Sequence, residues 1–89
     1  VTARERYLDV SMLEPCEPLE RSQEAAATLE PGEFLHIRHR REPFPLYDLL
    51  ERQGMVHHTV VRGPGAVEIF VFRRGDAVAE AAVEEALEP

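Results

Sequence analysis

The chain has 89 residues, 44% of them hydrophobic, and a net charge of −7 in which all ten basic residues are arginine. That length and composition describe one globular domain with a single core and argue against global disorder. The acidic balance argues against nucleic acid, whose binding depends on a basic surface that neutralises phosphates.

Tyr7 to Met12 alternates, with Leu8, Val10 and Met12 on one face, and predicts a half-buried strand. Pro18 suits the first turn of a helix, where its missing N–H costs nothing, and Glu17 and Glu20 stand near the positive helix end. This helix is predicted to run to about Leu29 on a thin stripe of Leu19, Ser22 or Gln23, Ala26 and Leu29, and to stop at Pro31-Gly32. Phe34 to His39 is a second strand, with Leu35 and Ile37 toward the core and Phe34, His36 and Arg38 on the other face.

Glu42-Pro43-Phe44-Pro45 starts a second helix, predicted through Gln53 with the stripe Leu46, Leu49 and Leu50 and with Gly54 as a left-handed cap. Met55–Arg62 and Ala66–Arg73 are two strands joined by the hairpin signal Gly63-Pro64-Gly65. From Gly75 the chain is rich in Ala and Glu and reads as a detachable tail, with helical spacing at Val78, Ala82, Val83 and Leu87. Residues 1–74 are thus expected as the domain and 75–89 as its tail. The order β-α-β-α-β-β places two helices on one face of a four-stranded mixed sheet, a two-layer α/β (α+β) sandwich. A β-α-β crossover makes the first two strands parallel, so the turn at Cys16 and the turn at Arg40–Arg41 should share one sheet edge. Both helix N-termini should open there, offering unpaired N–H groups.

Leu8-Asp9-Val10, Leu13 with Glu17-Pro18-Leu19 after it, and Pro31-Gly32-Glu33 before a strand resemble the TusA/SirA-like sulfur-carrier domains, over about residues 7 to 73. The Leu-Glu-Pro opening and the stretch Arg41-Glu42-Pro43-Phe44-Pro45-Leu46-Tyr47, followed by Leu49-Leu50-Glu51, are closer still to the allied domain of unknown function 2249 family. The resemblance implies the same sandwich. In the sulfur carriers the motif is Cys-Pro-x-Pro and its cysteine carries a persulfide sulfur to a partner. Aligning Glu17-Pro18 puts Pro15 at the carrier position and Cys16 at the first proline, a transposed pair. A one-residue shift moves the Cα by about 3.8 Å and re-aims the side chain.

Cys16 is the candidate nucleophile: a helix N-terminus and Arg40–Arg41 lower a thiol pKa, while Glu14, Glu17 and Glu20 push the other way. The plain alternative is a small turn residue. Arg40 and Arg41, with Glu17 and Pro18, form the candidate anion- or partner-binding set; otherwise the run is a solvated charged face. His36, His39, His57 and His58 lack the short Cys/His pairing of a zinc site, and each pair points to opposite sheet faces, so no metal or other cofactor is expected. Phe34, Phe70 and Phe72 share the face away from the helices and form a candidate interaction patch for the tail, a second copy or a partner.

No run of roughly 18 apolar residues predicts a membrane span. Val1–Arg6 is followed by no apolar block of a secretory signal, and the one cysteine fits a reducing compartment, so a cytoplasmic protein is expected, and the resemblance implies a bacterial one. No Ser/His/Asp set, phosphate-cradling loop or paired carboxylates stand at catalytic spacing. The expectation is a non-enzymatic accessory module in sulfur or redox metabolism, a monomer or weak homodimer with a protein partner. Its rivals are a sulfur carrier using Cys16 and a metal- or anion-sensing domain.

Overall fold

The structure, a computed structural model, describes residues 3–12 and 17–88. In chain order the elements are β1 (Arg4–Asp9), α1 (Glu17–Ala27), β2 (Glu33–His39), α2 (Phe44–Arg52), β3 (Met55–Gly63), β4 (Ala66–Arg73) and α3 (Ala77–Leu87). The four strands form one mixed sheet in the order β1-β2-β4-β3. β1 runs parallel to β2, and β4 is antiparallel to both of its neighbours.

Alternation decides which side chains meet. Leu35 and Ile37 of β2 face the same way as Val67, Ile69 and Val71 of β4, and against them pack Ala26 and Leu29 from the first helical region and Leu46 and Leu50 of α2. These residues form the main core of a two-layer α+β sandwich, with α1 and α2 over one sheet face. α1 settles close to the sheet because its innermost residues, Ser22 and Ala26, are small and fully buried.

β1 spans Arg4–Asp9, whereas the alternation alone predicted Tyr7 to Met12. Asp9 ends it: its Oδ1 accepts from the backbone N–H of Ser11 at 3.0 Å and from the Ser11 hydroxyl at 2.6 Å, a local turn that competes with the ladder. Val10 still donates to the Arg38 carbonyl and is buried, but Met12 is 89% exposed and takes no part in the core. At the other end Arg4 donates to the Gly32 carbonyl and its guanidinium pairs with Glu33 at 3.0 Å, which extends the strand backwards.

α1 has no basic residue in its last turn. Its closing carbonyls are met from the sheet instead, by Arg73, whose Nε donates to the Leu29 carbonyl and whose second nitrogen donates to the Ala27 carbonyl, both at 3.1 Å. α2 begins at Phe44 rather than Glu42, with Pro43 as its N-cap. It ends at Arg52 with Gln53 as C-cap, and Gly54, at φ +75°, makes the left-handed turn into β3. The β3–β4 hairpin turns on Pro64 and Gly65, the latter at φ +71°, with a bulge between Val61 and Gly63.

Residues 77–87 form α3, an 11-residue helix laid on the sheet face opposite α1 and α2. Its Ala79 and Val83 are fully buried against Phe34, Phe70 and Phe72, so the tail itself occupies the phenylalanine patch. Asp76 fastens its start: Oδ1 caps the helix by accepting from Ala79 N–H at 3.1 Å, and Oδ2 accepts from Gly32 N–H at 2.8 Å. Among the described residues no helix is long and apolar enough to cross a membrane.

Candidate functional site

Because β1 and β2 are parallel, Asp9 lies beside Arg38 and both chains leave the sheet at the same edge. There the start of α1 and the β2–α2 connection enclose a cavity of about 330 Å³. Pro18 and Leu19 form one wall, and Pro43, Pro45 and Leu46 form the apolar wall opposite. His39, Arg40, Arg41 and Glu42 supply its polar groups. Pro18, Arg40 and Arg41, expected at one edge from the topology, are therefore brought together. Glu17 opens α1 beside them. Cys16 lies outside the described residues, and with it the candidate nucleophile.

Arg40 and Arg41 are exposed, and among the described residues neither has an acidic partner. The reason lies in Glu42, the acid beside them in sequence. Its Oε1 accepts the Tyr47 hydroxyl at 3.2 Å, and that hydroxyl in turn accepts from Thr59. Burial raises the pKa of Tyr47, which keeps the phenol protonated as the donor. Tyr47 is itself held by a parallel stack on His57, with ring centroids 4.2 Å apart. Glu42 is thus anchored by α2 and β3, and among the described residues it pairs with neither guanidinium group.

His39 belongs to this cavity more firmly than its sequence context indicated. It is only 9% exposed, and its Nδ1 accepts the Arg41 backbone N–H at 3.2 Å. Burial, and then the charges of Arg41 and Arg40, lower its pKa. The ring is neutral at pH 7 with its lone pair on Nδ1, so its proton sits on Nε2. Alternation held the signal: His39 follows Leu35 and Ile37 on the core-facing side.

The expectation of backbone donors at this edge needs correction for α2. Pro43 and Pro45 have no N–H, Phe44 N–H goes to the Glu42 carbonyl and Leu46 N–H to the Pro43 carbonyl. An anion here would be met by side chains, not by the N-terminus of α2.

A second cavity of about 260 Å³ lies on the other sheet face, beyond α3, lined by Tyr7, His36, Arg38, Arg62 and Glu68 among others. Its charges are largely spent on one another. His36 sits between Glu68 at 2.6 Å and Glu5 at 3.2 Å, and Arg62 Nε donates to Glu68 at 2.7 Å. The Arg62 hydrogen bond is the first reason that the Glu68 carboxyl is held below its ordinary value. The edge cavity, with cations left open, is the better candidate. The four histidines are dispersed as their spacing implied: His36 stacks on Phe70 and His58 on Phe72, while His57 stacks on Tyr47. Among the described residues no three His, Cys, Asp or Glu side chains are grouped to hold a metal ion.

Residues 7–73 match the model of a family described as an uncharacterized conserved protein (DUF2249). No curated protein and no solved structure matches the chain.

Proposed function

The chain belongs to this uncharacterised DUF2249 family, and from that premise we propose that it is a non-enzymatic interaction module that docks a partner protein in the edge cavity. One observation carries the reading: Arg40 and Arg41 stand without an acidic partner among the described residues, over a cavity walled by Leu19, Leu46 and three prolines. Open cations beside apolar surface suit a partner that offers both a carboxylate and an apolar group. The resemblance to TusA/SirA-like domains supports a role for the module in bacterial sulfur or redox metabolism, in the cytoplasm. Arg40, Arg41 and Pro18 are then its recognition residues, and α3 is an attached cover for the phenylalanines.

In-cell photo-crosslinking tests this. A photoreactive residue replaces Phe44, 66% exposed and between the lining residues Pro43 and Pro45, or Glu80 on α3 as a control. A defined adduct from position 44, absent from position 80 and lost when Arg40 and Arg41 are both changed to alanine, is the expected result. An adduct indifferent to the two arginines removes the reading.

The rival reading is a sulfur carrier, favoured by the place of Cys16 two residues before Pro18, which lines the cavity. In that reaction the Cys16 thiolate attacks the terminal sulfur of a donor persulfide. A new S–S bond forms at Cys16, the donor S–S bond breaks, and the donor leaves as a thiolate. Mass spectrometry after incubation with a cysteine desulfurase and cysteine decides between the two. A sulfur adduct on Cys16 promotes the carrier, and an unmodified Cys16 leaves the docking module.

A further inference from the structure

Resting on the assignment of this cavity as the docking site, the geometry points to its occupant: the C-terminal residue of a partner protein, apolar, with its α-carboxylate held by Arg40 and Arg41 and its side chain on Leu19 and Leu46. Size is the first ground. About 330 Å³ is at the small end of ligand pockets, room for one residue rather than for the face of a helix. The second is that three of the nine lining residues are prolines. Pro18, Pro43 and Pro45 have no N–H, so an internal peptide segment would find few partners there for its own backbone. A chain end has its charge and its apolar side chain on one carbon, and both demands of the cavity are met by a single residue.

Charge complementarity is the third ground. In a chain of net charge −7, this edge carries two guanidinium groups with no acidic partner among the described residues, and Tyr47 engages the adjacent Glu42. Arginine matches a carboxylate with parallel N–H donors, which fixes orientation as well as attraction. His39 lines the same cavity and steadies the Arg41 backbone through Nδ1, and its remaining donor is the Nε2 N–H. As a neutral ring it adds a hydrogen-bond donor without another charge.

The test is an NMR titration of the ¹⁵N-labelled protein with acetyl-Ala-Ala-Leu bearing a free terminal acid. Its C-terminal amide and acetyl-Leu-Glu-Ala-amide, which carries an internal carboxylate, run alongside. The acid should shift the amides of Leu19, of residues 39–42, of Phe44 and of Leu46. The amide and the internal carboxylate should each bind at least about tenfold more weakly. Arg41→Ala should lose about tenfold in affinity for the acid while its thermal melting curve is unchanged. Equal binding of acid and amide, equal binding of the internal carboxylate, competition by inorganic sulfate as strong as by the acid, or no shift at about 1 mM acid each overturns the assignment. If acid and amide bind alike while the photo-adduct at position 44 still depends on Arg40 and Arg41, the docking module stands and only the chain-end occupant is lost.

Discussion

Replacing Asp76 by alanine removes two contacts at one point, the cap on α3 and the acceptor for Gly32 N–H. An N-cap is worth about 1 kcal/mol, and a hydrogen bond to a charged acceptor about 1.5 to 3 kcal/mol. The joint loss should be about 2 to 3 kcal/mol, discounting because one carboxylate makes both contacts. An 11-residue helix is marginal by itself, so α3 depends on this fastening and on Ala79 and Val83. Hydrogen exchange is the direct assay. Amides of residues 80–87 should lose roughly 30- to 150-fold of protection in Asp76→Ala, while those of Ile37 and Ile69 in the main core fall much less. The same bonds, from Gly32 N–H first and then Ala79 N–H, hold the Asp76 carboxyl below its ordinary value. Its contribution is therefore full above the unfolded value of about 3.9 and is lost as pH falls through the lower folded value. In the native protein α3 protection should drop over that acid window, and in the alanine variant it should not. Unchanged exchange of α3 at neutral pH, or an equal loss across the core, refutes the reasoning.

His39 should titrate below the ordinary histidine range and show the Nε2-protonated tautomer at pH 7 in long-range ¹H–¹⁵N spectra; an imidazolium at that pH contradicts the burial argument. Its depressed pKa adds stability that is full above about 6.5 and is lost as pH falls through the folded value, a dependence that His39→Gln should remove. Gly54→Ala meets open space yet must hold φ at +75°, so urea denaturation should show a loss of about 1 to 2 kcal/mol. Gly54→Asn should cost less, and an alanine variant as stable as the parent would mean that the turn relaxes.

What could be read from the sequence was local periodicity, and it went far. The alternation of Leu35 and Ile37 against Phe34, and of Val67, Ile69 and Val71 against Phe70 and Phe72, assigns both faces of the central strands correctly. Parallel β1 and β2 then bring Pro18, Arg40 and Arg41 to one cavity. What escaped was set by partners distant in the chain or by side-chain chemistry that competes with the pattern. Met12 continues the alternation of Leu8 and Val10, but the Asp9–Ser11 turn has already ended the strand. α3 has mostly alanine and valine to bury, and becomes a fixed element only because three phenylalanines lie waiting on the sheet. The engagement of Glu42 is decided by Tyr47 and Thr59, which no spacing between Arg41 and Glu42 reveals.

The strand order leaves β1 and β3 as the borders of the sheet, and neither is a good template for another chain. Four of the six residues of β1 are charged, Arg4, Glu5, Arg6 and Asp9, and the bulge at Val61–Gly63 twists the end of β3 away from regular pairing. A partner is thereby denied the cheap, sequence-blind route of adding itself as a fifth strand. In the proposed docking, side chains in a small pocket are what is left to grip, and selectivity would be built into the borders of the sheet as much as into the pocket.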